Sequence, residues 1–413
     1  MCDNYRTISL LNTLTKWLTK MLNNRLSAYV EVLSPFELEF DGNGNILPAT
    51  QMAFRQSRSR EDLILTMESI ANEHWKKNIT TFFLFIDLKK AYDYVSREVM
   101  WKLLSILGVP DKFVTLLTNM HVGSFAKLRL FGALSREISL ASGLKQGCGI
   151  APLLFNIFFA ALFAIVQIKY SRKEISFQTI GVDGNTVKQF RLRDLMFADD
   201  VAALFTTEKG VQDYLDVLYE VATMFGMVIS DNKTEIMIQY GNPKEIDYQT
   251  STDPEFFLGP IGLENLHLRK KLKLVDSFKY LGVWFTSRRP FLSLNDVEVA
   301  AIDVMAKDIQ KRTQTAWWSF MSWAPLLRAK FRNLSERITL FKVYVVPCLL
   351  QAIGVRVLAT RHIEELESCY YRMIRSMLGW NPRRMASHWD MYEACGIISF
   401  EALYFQEVIR WGS

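Results

Sequence analysis

The chain has few cysteines and few histidines. Its five cysteines are scattered over 413 residues, their number is odd, and no two stand in C-x-x-C spacing. This pattern excludes a disulfide framework and a zinc finger within the chain, and it favours a reducing compartment. The five histidines are also dispersed, and their positions indicate no function.

Long uncharged runs are scarce too, and the chain has no internal repeat, no low-complexity tract and no visible signal peptide. The exception is residues 150–168, which hold nineteen positions without a charge. Length alone would suggest a transmembrane span. Pro152, Asn156 and Gln167 interrupt the run, however, and lysines flank it. We therefore predict a helix buried inside the protein, and no membrane partner.

Charge is unevenly distributed along the chain. The net charge of +6 is mild, and half of the residues are hydrophobic, as in a globular enzyme. Residues 267–413 carry 22 Lys and Arg against 13 Asp and Glu, whereas the remainder carries 27 against 30. An acidic part that holds metals and a basic part that holds phosphates suit a polymerase. The alternative is that the basic part is merely a solvated face.

Three aspartates follow or divide apolar runs. Asp87 ends the wholly apolar run Phe82–Ile86, which predicts a strand buried on both faces. Asp199 and Asp200 stand between two apolar runs, as at the turn of a β-hairpin. If the two elements are neighbours, three carboxylates converge and need a cation. Mg²⁺, or Mn²⁺ in its place, suits such oxygens, and two ions about 3.5–4 Å apart serve polymerases and nucleases.

The order of predicted elements is that of a split-βαβ unit. Hydrophobic spacing predicts helices near residues 10–32, 60–75, 96–107, 111–120, 152–168 and 211–225, and strands near 82–87, 125–131, 136–140, 195–198, 201–205 and 235–240. Asp183–Asn185 is typical of a hairpin turn. The resulting order β-α-β-β-α-β is that of a ferredoxin-like palm. Beyond about residue 290 the pattern becomes all-helical.

Seven short blocks occur in a fixed succession. They are Asn4–Asn12, Gln51–Arg55, Phe85–Asp93, Gly143–Asn156, Phe197–Asp200, Gly226–Thr234 and Phe278–Gly282. Each block alone is weak, but together they resemble the reverse transcriptase of non-LTR (LINE-type) retrotransposons. The resemblance covers about residues 3–287. It implies an RNA-directed DNA polymerase with an α+β right-hand fold: truncated fingers (1–80), a palm with part of the fingers (81–290) and a helical thumb with a C-terminal extension (291–413).

The resemblance also assigns roles to the aspartates and their neighbour. Asp87 and Asp199 would bridge two Mg²⁺ ions, and Asp200 would support them. The backbone carbonyl of Leu88 would complete the coordination shell of the metal. One ion would activate the primer 3′-hydroxyl and the other would brace the leaving pyrophosphate. The alternative is that Asp199 and Asp200 are an ordinary surface pair of aspartates, since such pairs are common.

Two basic residues match positions of the family that contact the triphosphate. Lys233 would protonate the departing pyrophosphate, and Arg6 would clamp the incoming triphosphate with its guanidinium. For Lys233 the alternative is an ordinary surface lysine.

Further positions match the nucleotide and primer sites of the family. Gln146 and Gly147 would line the nucleotide and template, with a structural turn as the alternative. Tyr92 would lie beneath the sugar and exclude a 2′-hydroxyl, unless its ring only fills the core. Tyr280–Gly282 resembles the primer grip.

The implied partners are an RNA template, a DNA primer and dNTPs, inside a eukaryotic nucleus or cytoplasm. The chain begins inside the first block, so we expect a fragment or decayed copy that lacks a fingers strand and an endonuclease domain. Two alternatives stay open. One is an inactive, nucleic-acid-binding remnant of a reverse transcriptase, and the other is a group II intron-type maturase.

Overall fold

The computed structural model of the protein describes residues 9–31, 46–127, 129–170, 175–180, 187–192, 194–241, 254–261, 267–288, 303–379 and 387–412. The chain divides into two compact units. The first comprises residues 1–63, 80–236 and 243–274, and the second comprises 64–79, 237–242 and 275–413. The division into fingers, palm and thumb at residues 80 and 290 stays a prediction.

Helices and strands are mixed along the chain up to Thr286, and the described elements after it are helices. The helices are α1 Thr13–Glu31, α2 Arg60–Lys76, α3 Ala91–Tyr94, α4 Arg97–Ile106, α5 Asp111–His121, α6 Ala151–Tyr170, α7 Glu208–Met224, α8 Ala306–Leu327, α9 Leu334–Tyr344, α10 Val346–Leu350, α11 Thr360–Leu378, α12 His388–Cys395 and α13 Phe400–Gly412. The strands are β1 Thr81–Ile86, β2 Phe125–Ala126, β3 Arg129–Leu130, β4 Ala133–Leu134, β5 Ile138–Ser139, β6 Ile175–Ile180, β7 Val187–Leu192, β8 Asp194–Phe197, β9 Asp200–Phe205, β10 Glu235–Gln239, β11 Phe257–Leu258, β12 Lys270–Lys271, β13 Lys273–Leu274, β14 Ser277–Tyr280 and β15 Val283–Thr286.

A five-stranded sheet has the order β13-β10-β1-β9-β8. Strand β9 runs antiparallel to both β1 and β8, while β13 is parallel to β10. Strand β1, the β8–β9 hairpin and β10 therefore reproduce the spatial order of a split-βαβ unit, with α6 and α7 in its two connections. The predicted α+β fold with a ferredoxin-like palm is confirmed.

Apolar patterning accounts for the centre of this sheet. Every residue of β1 is buried, and so are Val201–Phe205 of β9. The pairing runs from Phe82 opposite Phe205 to Ile86 opposite Val201. Because both faces of the pair are covered, a continuous apolar run is favoured over alternation.

Side-chain caps begin helices α4 and α7, and the first of these caps, Ser96, was predicted. The hydroxyl of Ser96 accepts the N–H of Val99 and caps α4. Thr207 caps α7 in the same way, through the N–H of Gly210. The apolar positions of α7 are buried: Val211, Tyr214, Leu215, Leu218, Val221 and Ala222.

Helix α6 is a core helix. By length and composition, two described segments could cross a membrane, Ala151–Tyr170 and Leu334–Val355. The first is α6, and 78% of its most apolar window is buried, as predicted. The second is interrupted, since α9 ends at Tyr344 and α10 ends at Leu350.

The second unit is helical over its described residues from 303 onward, as predicted. Phe320 of α8 is fully buried and packs against Phe341 of α9. The carboxylate of Asp308 and the guanidinium of Arg312 form a buried ion pair with an N–O distance of 2.7 Å, and Asp308 also accepts the N–H of Trp284 at 2.9 Å.

One predicted feature differs from the structure, and another lies outside the described residues. The strands expected at 125–131 and 136–140 are only two-residue pieces, β2 with β5 and β3 with β4. The predicted turn Asp183–Asn185 lies outside the described residues, although the flanking strands β6 and β7 pair antiparallel.

Candidate catalytic site

The β8–β9 hairpin carries the paired aspartates. Its two turn residues are Ala198 and Asp199, because Phe197 pairs directly with Asp200. Ala198 is buried and has a φ of 56°, a left-handed conformation that is unfavourable for a residue with a Cβ. Asp199 is half-buried, whereas Asp200 begins β9 and is exposed.

Backbone pairing positions Asp87 just beyond β1. Its carbonyl accepts the N–H of Ser230 at 2.8 Å, and its own N–H donates to the hydroxyl of Thr234 at 3.3 Å. One residue further, Leu88 forms an antiparallel bridge with Ile229. The segment before Lys233 therefore lies beside the end of β1.

The carboxylate of Asp87 lies in a charged but partly desolvated setting. Burial raises its pKa above the ordinary value, the negative charge of Asp199 raises it further, and Lys233 and Ser230 oppose the shift. The Nζ of Lys233 is 3.7 Å from Oδ2 of Asp87. That Oδ2 is buried and has no hydrogen-bond partner among the described residues.

These groups line one cavity of about 610 Å³ in the first unit. It collects most of the residues that the sequence nominated: Asp87, Leu88, Tyr92, Gln146, Gly147, Asp199 and Lys233. Seven further residues complete the lining: Phe54, Lys90, Ala91, Asp93, Ala151, Pro152 and Ala198. Of the other nominated residues, Asp200 is not in the lining and Arg6 lies outside the described residues.

Tyr92 is both packed and accessible. Its ring stacks on Phe155 of α6, with centroids 4.4 Å apart and an interplanar angle of 10°. Burial raises the pKa of its hydroxyl, and the charge of Asp199 adds to the effect. Tyr92 therefore stays neutral and presents a supported ring to the cavity.

Gly147 is required by a neighbouring backbone. It has a φ of 103°, and a Cβ at this position would lie 2.6 Å from the carbonyl oxygen of Ser9. The N–H of Ser9 also donates to the carbonyl of Gln146 at 2.7 Å. The glycine lets the segment at Ser9 approach this loop closely while Gln146 and Gly147 line the cavity.

The donor set suits a hard cation. Within the described ranges, no group of three or more His, Cys, Asp or Glu side chains is placed to hold a metal ion. Mg²⁺ is usually held by one or two carboxylates together with water and substrate phosphates, so such a group is not required. Asp87, whose buried Oδ2 accepts no hydrogen bond from a described residue, and Asp199 in the same cavity fit this ion.

Sequence reasoning missed two buried polar residues beside the cavity. Gln51 is 1% exposed and hydrogen-bonds to the backbone of Ala198. Asn156 is fully buried and donates to the carbonyl of Ala53 at 2.8 Å. Both lie in blocks that the sequence singled out. The signal that could have identified Asn156 is its position as a polar residue inside an apolar run.

Comparison with known proteins identifies the family. A family profile described as "Reverse transcriptase (RNA-dependent DNA polymerase)" matches residues 2–285. Among solved structures, a telomerase from Candida tropicalis in complex with a TWJ fragment of telomeric RNA is similar with a TM-score of 0.40 and 10% identity. That similarity covers 92% of this chain and 57% of the telomerase chain.

The curated relatives are polymerases of mobile elements. The Pol polyprotein of the R2DM element of Drosophila melanogaster is 25% identical over 285 residues, which cover 69% of this chain and 24% of the relative. The polymerase of the jockey element of Drosophila funebris is 23% identical, covering 91% and 36%. That of the X-element of Drosophila melanogaster is 22% identical, covering 94% and 37%.

The chain thus spans between 24% and 37% of the length of these relatives. The relatives are of the non-LTR class, so the resemblance drawn from the seven blocks is confirmed. The profile match covers well over half of the 413 residues. The chain belongs to the reverse transcriptase (RNA-dependent DNA polymerase) family.

Proposed function

We propose that the protein is an RNA-directed DNA polymerase of a non-LTR retrotransposon, which adds dNTPs to the 3′-hydroxyl of a DNA primer paired with an RNA template. The main support is that Asp87 and Asp199, which are far apart in sequence, share one cavity with Lys233. A pair of carboxylates beside a cation is the arrangement that phosphoryl transfer needs, because catalysis there is mostly positioning and charge stabilisation.

Asp87 and Asp199 would hold two Mg²⁺ ions, with Mn²⁺ as a substitute, and Asp200 and the carbonyl of Leu88 would support them. The ions would supply a lowered pKa for the primer hydroxyl and charge stabilisation at the phosphates. The protein's own contribution is geometric. The carbonyl of Asp87 is tied to Ser230, so its carboxylate is presented from a braced backbone.

Lys233 is the candidate general acid. Its ammonium lies 3.7 Å from the Asp87 carboxylate, and its side chain is 72% exposed and lines the cavity, so a bound substrate can reach it. A positioned lysine can donate a proton to a leaving pyrophosphate. Arg6 would complete the triphosphate contacts through its guanidinium.

Tyr92, Gln146 and Gly147 would contact the incoming nucleotide. The ring of Tyr92 is held by Phe155, so it cannot easily move aside for a 2′-hydroxyl. In the second unit, the turn of the β14–β15 hairpin is the candidate primer grip. Gly282 in this turn has a φ of 91°, and a Cβ there would collide with the side chain of Gln351.

The proposal includes a cellular compartment for this activity. We place the protein inside a eukaryotic cell, in a reducing nucleus or cytoplasm, working with further domains such as an endonuclease. The four cysteines in the described part of the chain are free, which suits that compartment.

A primer-extension assay tests the proposal. The purified chain, an RNA template, a DNA primer, dNTPs and Mg²⁺ should give extended DNA. Asp199→Asn should abolish extension, because it removes one of two carboxylate charges, while leaving binding of the primer–template nearly intact. The matched control is Asp213→Asn, which changes an exposed aspartate of α7 and should extend normally.

The outcomes of this assay separate the candidate functions. Extension by the wild type and by Asp213→Asn, but not by Asp199→Asn, supports the polymerase. Primer–template binding without extension by the wild type would favour the inactive remnant. Undiminished extension by Asp199→Asn would overturn the assignment of the metal site.

A further inference from the structure

Gln51, which has no assigned role, contacts the backbone of a distant residue through both polar atoms of its side chain. Its side-chain Oε1 accepts the N–H groups of Ala53 and Ala198, both at 3.1 Å. Its Nε2 lies 3.5 Å from the carbonyl oxygen of Ala198 and donates to it. One buried amide thus binds both backbone groups of a residue 147 positions away.

The residue that Gln51 holds is the strained member of the catalytic turn. Ala198 has a φ of 56°, and Asp199 follows it directly. Alanine strongly disfavours this conformation, so contacts from the surroundings must maintain it. The neighbouring backbone is tied as well, since the N–H of Met52 donates to the carbonyl of Met196 at 2.9 Å.

The amide is itself braced from α6. Asn156 donates to the carbonyl of Ala53, and the N–H of Ala53 donates to Gln51. The chain of hydrogen bonds therefore runs from Asn156 through Ala53 and Gln51 to Ala198. Buried hydrogen bonds of this kind fix geometry, because breaking one leaves a buried polar group unpaired. Oδ1 of Asn156 has no hydrogen-bond partner among the described residues, so the network holds the turn through the donating Nδ2 of Asn156.

We propose that Gln51 is a positioning residue for catalysis: it clamps Ala198 in its left-handed conformation and thereby sets the place of the Asp199 carboxylate in the cavity. This inference rests on the proposed polymerase function. Gln51 does not line the cavity and touches no substrate in this role; it acts through the turn.

The first variant is Gln51→Met, which keeps the length of the side chain and removes the amide. With the clamp gone, Asp199 is less well placed, and kcat for primer extension should fall roughly 10- to 100-fold. The Mg²⁺ concentration for half-maximal extension should rise. Primer–template affinity should not change, because Gln51 has no proposed part in nucleic-acid binding.

The second variant adds Ala198→Gly to Gln51→Met. Glycine adopts a positive φ without the penalty of alanine, so the turn needs the clamp less. The double variant should recover kcat by roughly fivefold or more over the single variant. A merely structural role for Gln51 predicts no such rescue. If Gln51→Met does not fold, the double variant is compared with Ala198→Gly alone, and its kcat should be close.

Gln212 provides a matched control. Its amide binds a backbone in the same way: Nε2 donates to the carbonyl of Phe257 at 2.8 Å, and Oε1 accepts the N–H of Phe257 at 2.9 Å. Neither residue lines the catalytic cavity. Gln212→Met should leave kcat and the Mg²⁺ requirement unchanged.

Hydrogen exchange gives a readout that does not depend on activity. In Gln51→Met, amide exchange of a peptide spanning residues 195–201 should be faster than in the wild type, and in Gln212→Met it should not. Unchanged exchange in Gln51→Met, or a double variant no more active than the single one, would overturn the inference. If the wild type itself does not extend primers but the exchange difference is present, the proposed function fails and the clamp stands.

Discussion

Replacing Tyr92 by valine separates nucleotide selection from core packing. The ring lines the cavity on one side and stacks on Phe155 on the other, with centroids 4.4 Å apart. That stack prevents the ring from moving aside. With the sugar of the incoming nucleotide over Tyr92, as we propose, a 2′-hydroxyl would collide with the ring. Tyr92→Val removes the ring and opens the cavity at that point.

Two magnitudes follow from this geometry. Crowding in a packed site costs about 1–3 kcal/mol, so relief of the clash should raise ribonucleotide over deoxynucleotide incorporation by about 10- to 100-fold. Loss of the stack on Phe155, together with loss of the burial of the half-buried ring, should lower the free energy of unfolding by about 2–3 kcal/mol. Deoxynucleotide addition should fall only modestly at temperatures where the variant is folded.

The assay is single-nucleotide primer extension with matched ribo- and deoxynucleotides, giving kcat/KM for each. Tyr92→Phe keeps the ring and should keep the selectivity. Phe155→Leu loosens the support without removing the ring. Phe155 is fully buried and does not line the cavity, so this variant tests whether the stack beneath the ring contributes to selectivity.

One result would refute the reasoning. If Tyr92→Val loses activity equally on both substrates and its selectivity is that of the wild type, Tyr92 is a packing residue.

Three further predictions concern nucleic-acid binding, stability and pH. Converting exposed Lys342 and Arg372 to glutamine should make the fall of primer–template affinity with salt less steep. The slope of log affinity against log salt concentration should change by about 0.9 for each phosphate that is no longer neutralised. An unchanged slope would mean that these basic residues lie only on a solvated face. Asp308→Asn should lower the free energy of unfolding by about 3–5 kcal/mol in urea denaturation, because it leaves the buried charge of Arg312 unpaired; a change below about 1 kcal/mol would contradict this. Burial lowers the pKa of His121 below its ordinary value of 6.5, so its neutral form stabilises the fold above about that pH and this stability is lost on acidification. His121→Gln should therefore show a shallower fall of melting temperature below pH 6.5, and parallel curves would exclude a role for His121.

Much of the fold follows from local patterns. The unbroken apolar run of β1 predicted a strand covered on both faces, and all six of its residues are buried. Ser96 and Thr207 cap the helices that follow them. These signals are readable because each depends on residues within a few positions of one another.

The candidate site was partly readable in the same way. Asp87 and Asp199 could be nominated because acids at the ends of apolar runs emerge at a sheet edge, and the structure brings both to one cavity. The sequence nominated Asp200 as a supporting ligand. Its place as the first residue of β9, exposed and outside the cavity lining, depends on the register of the hairpin.

The sequence by itself thus determined the strands and connecting helices of the split-βαβ unit, their order, and the residue types that chemistry needs. Tertiary structure alone decided which of them meet. The clamp of Gln51 on Ala198 joins residues 147 positions apart, and Gly147 is a glycine because Ser9 approaches it. No local pattern encodes such contacts, since they arise only when the packing of the whole unit brings two distant backbones within hydrogen-bonding distance.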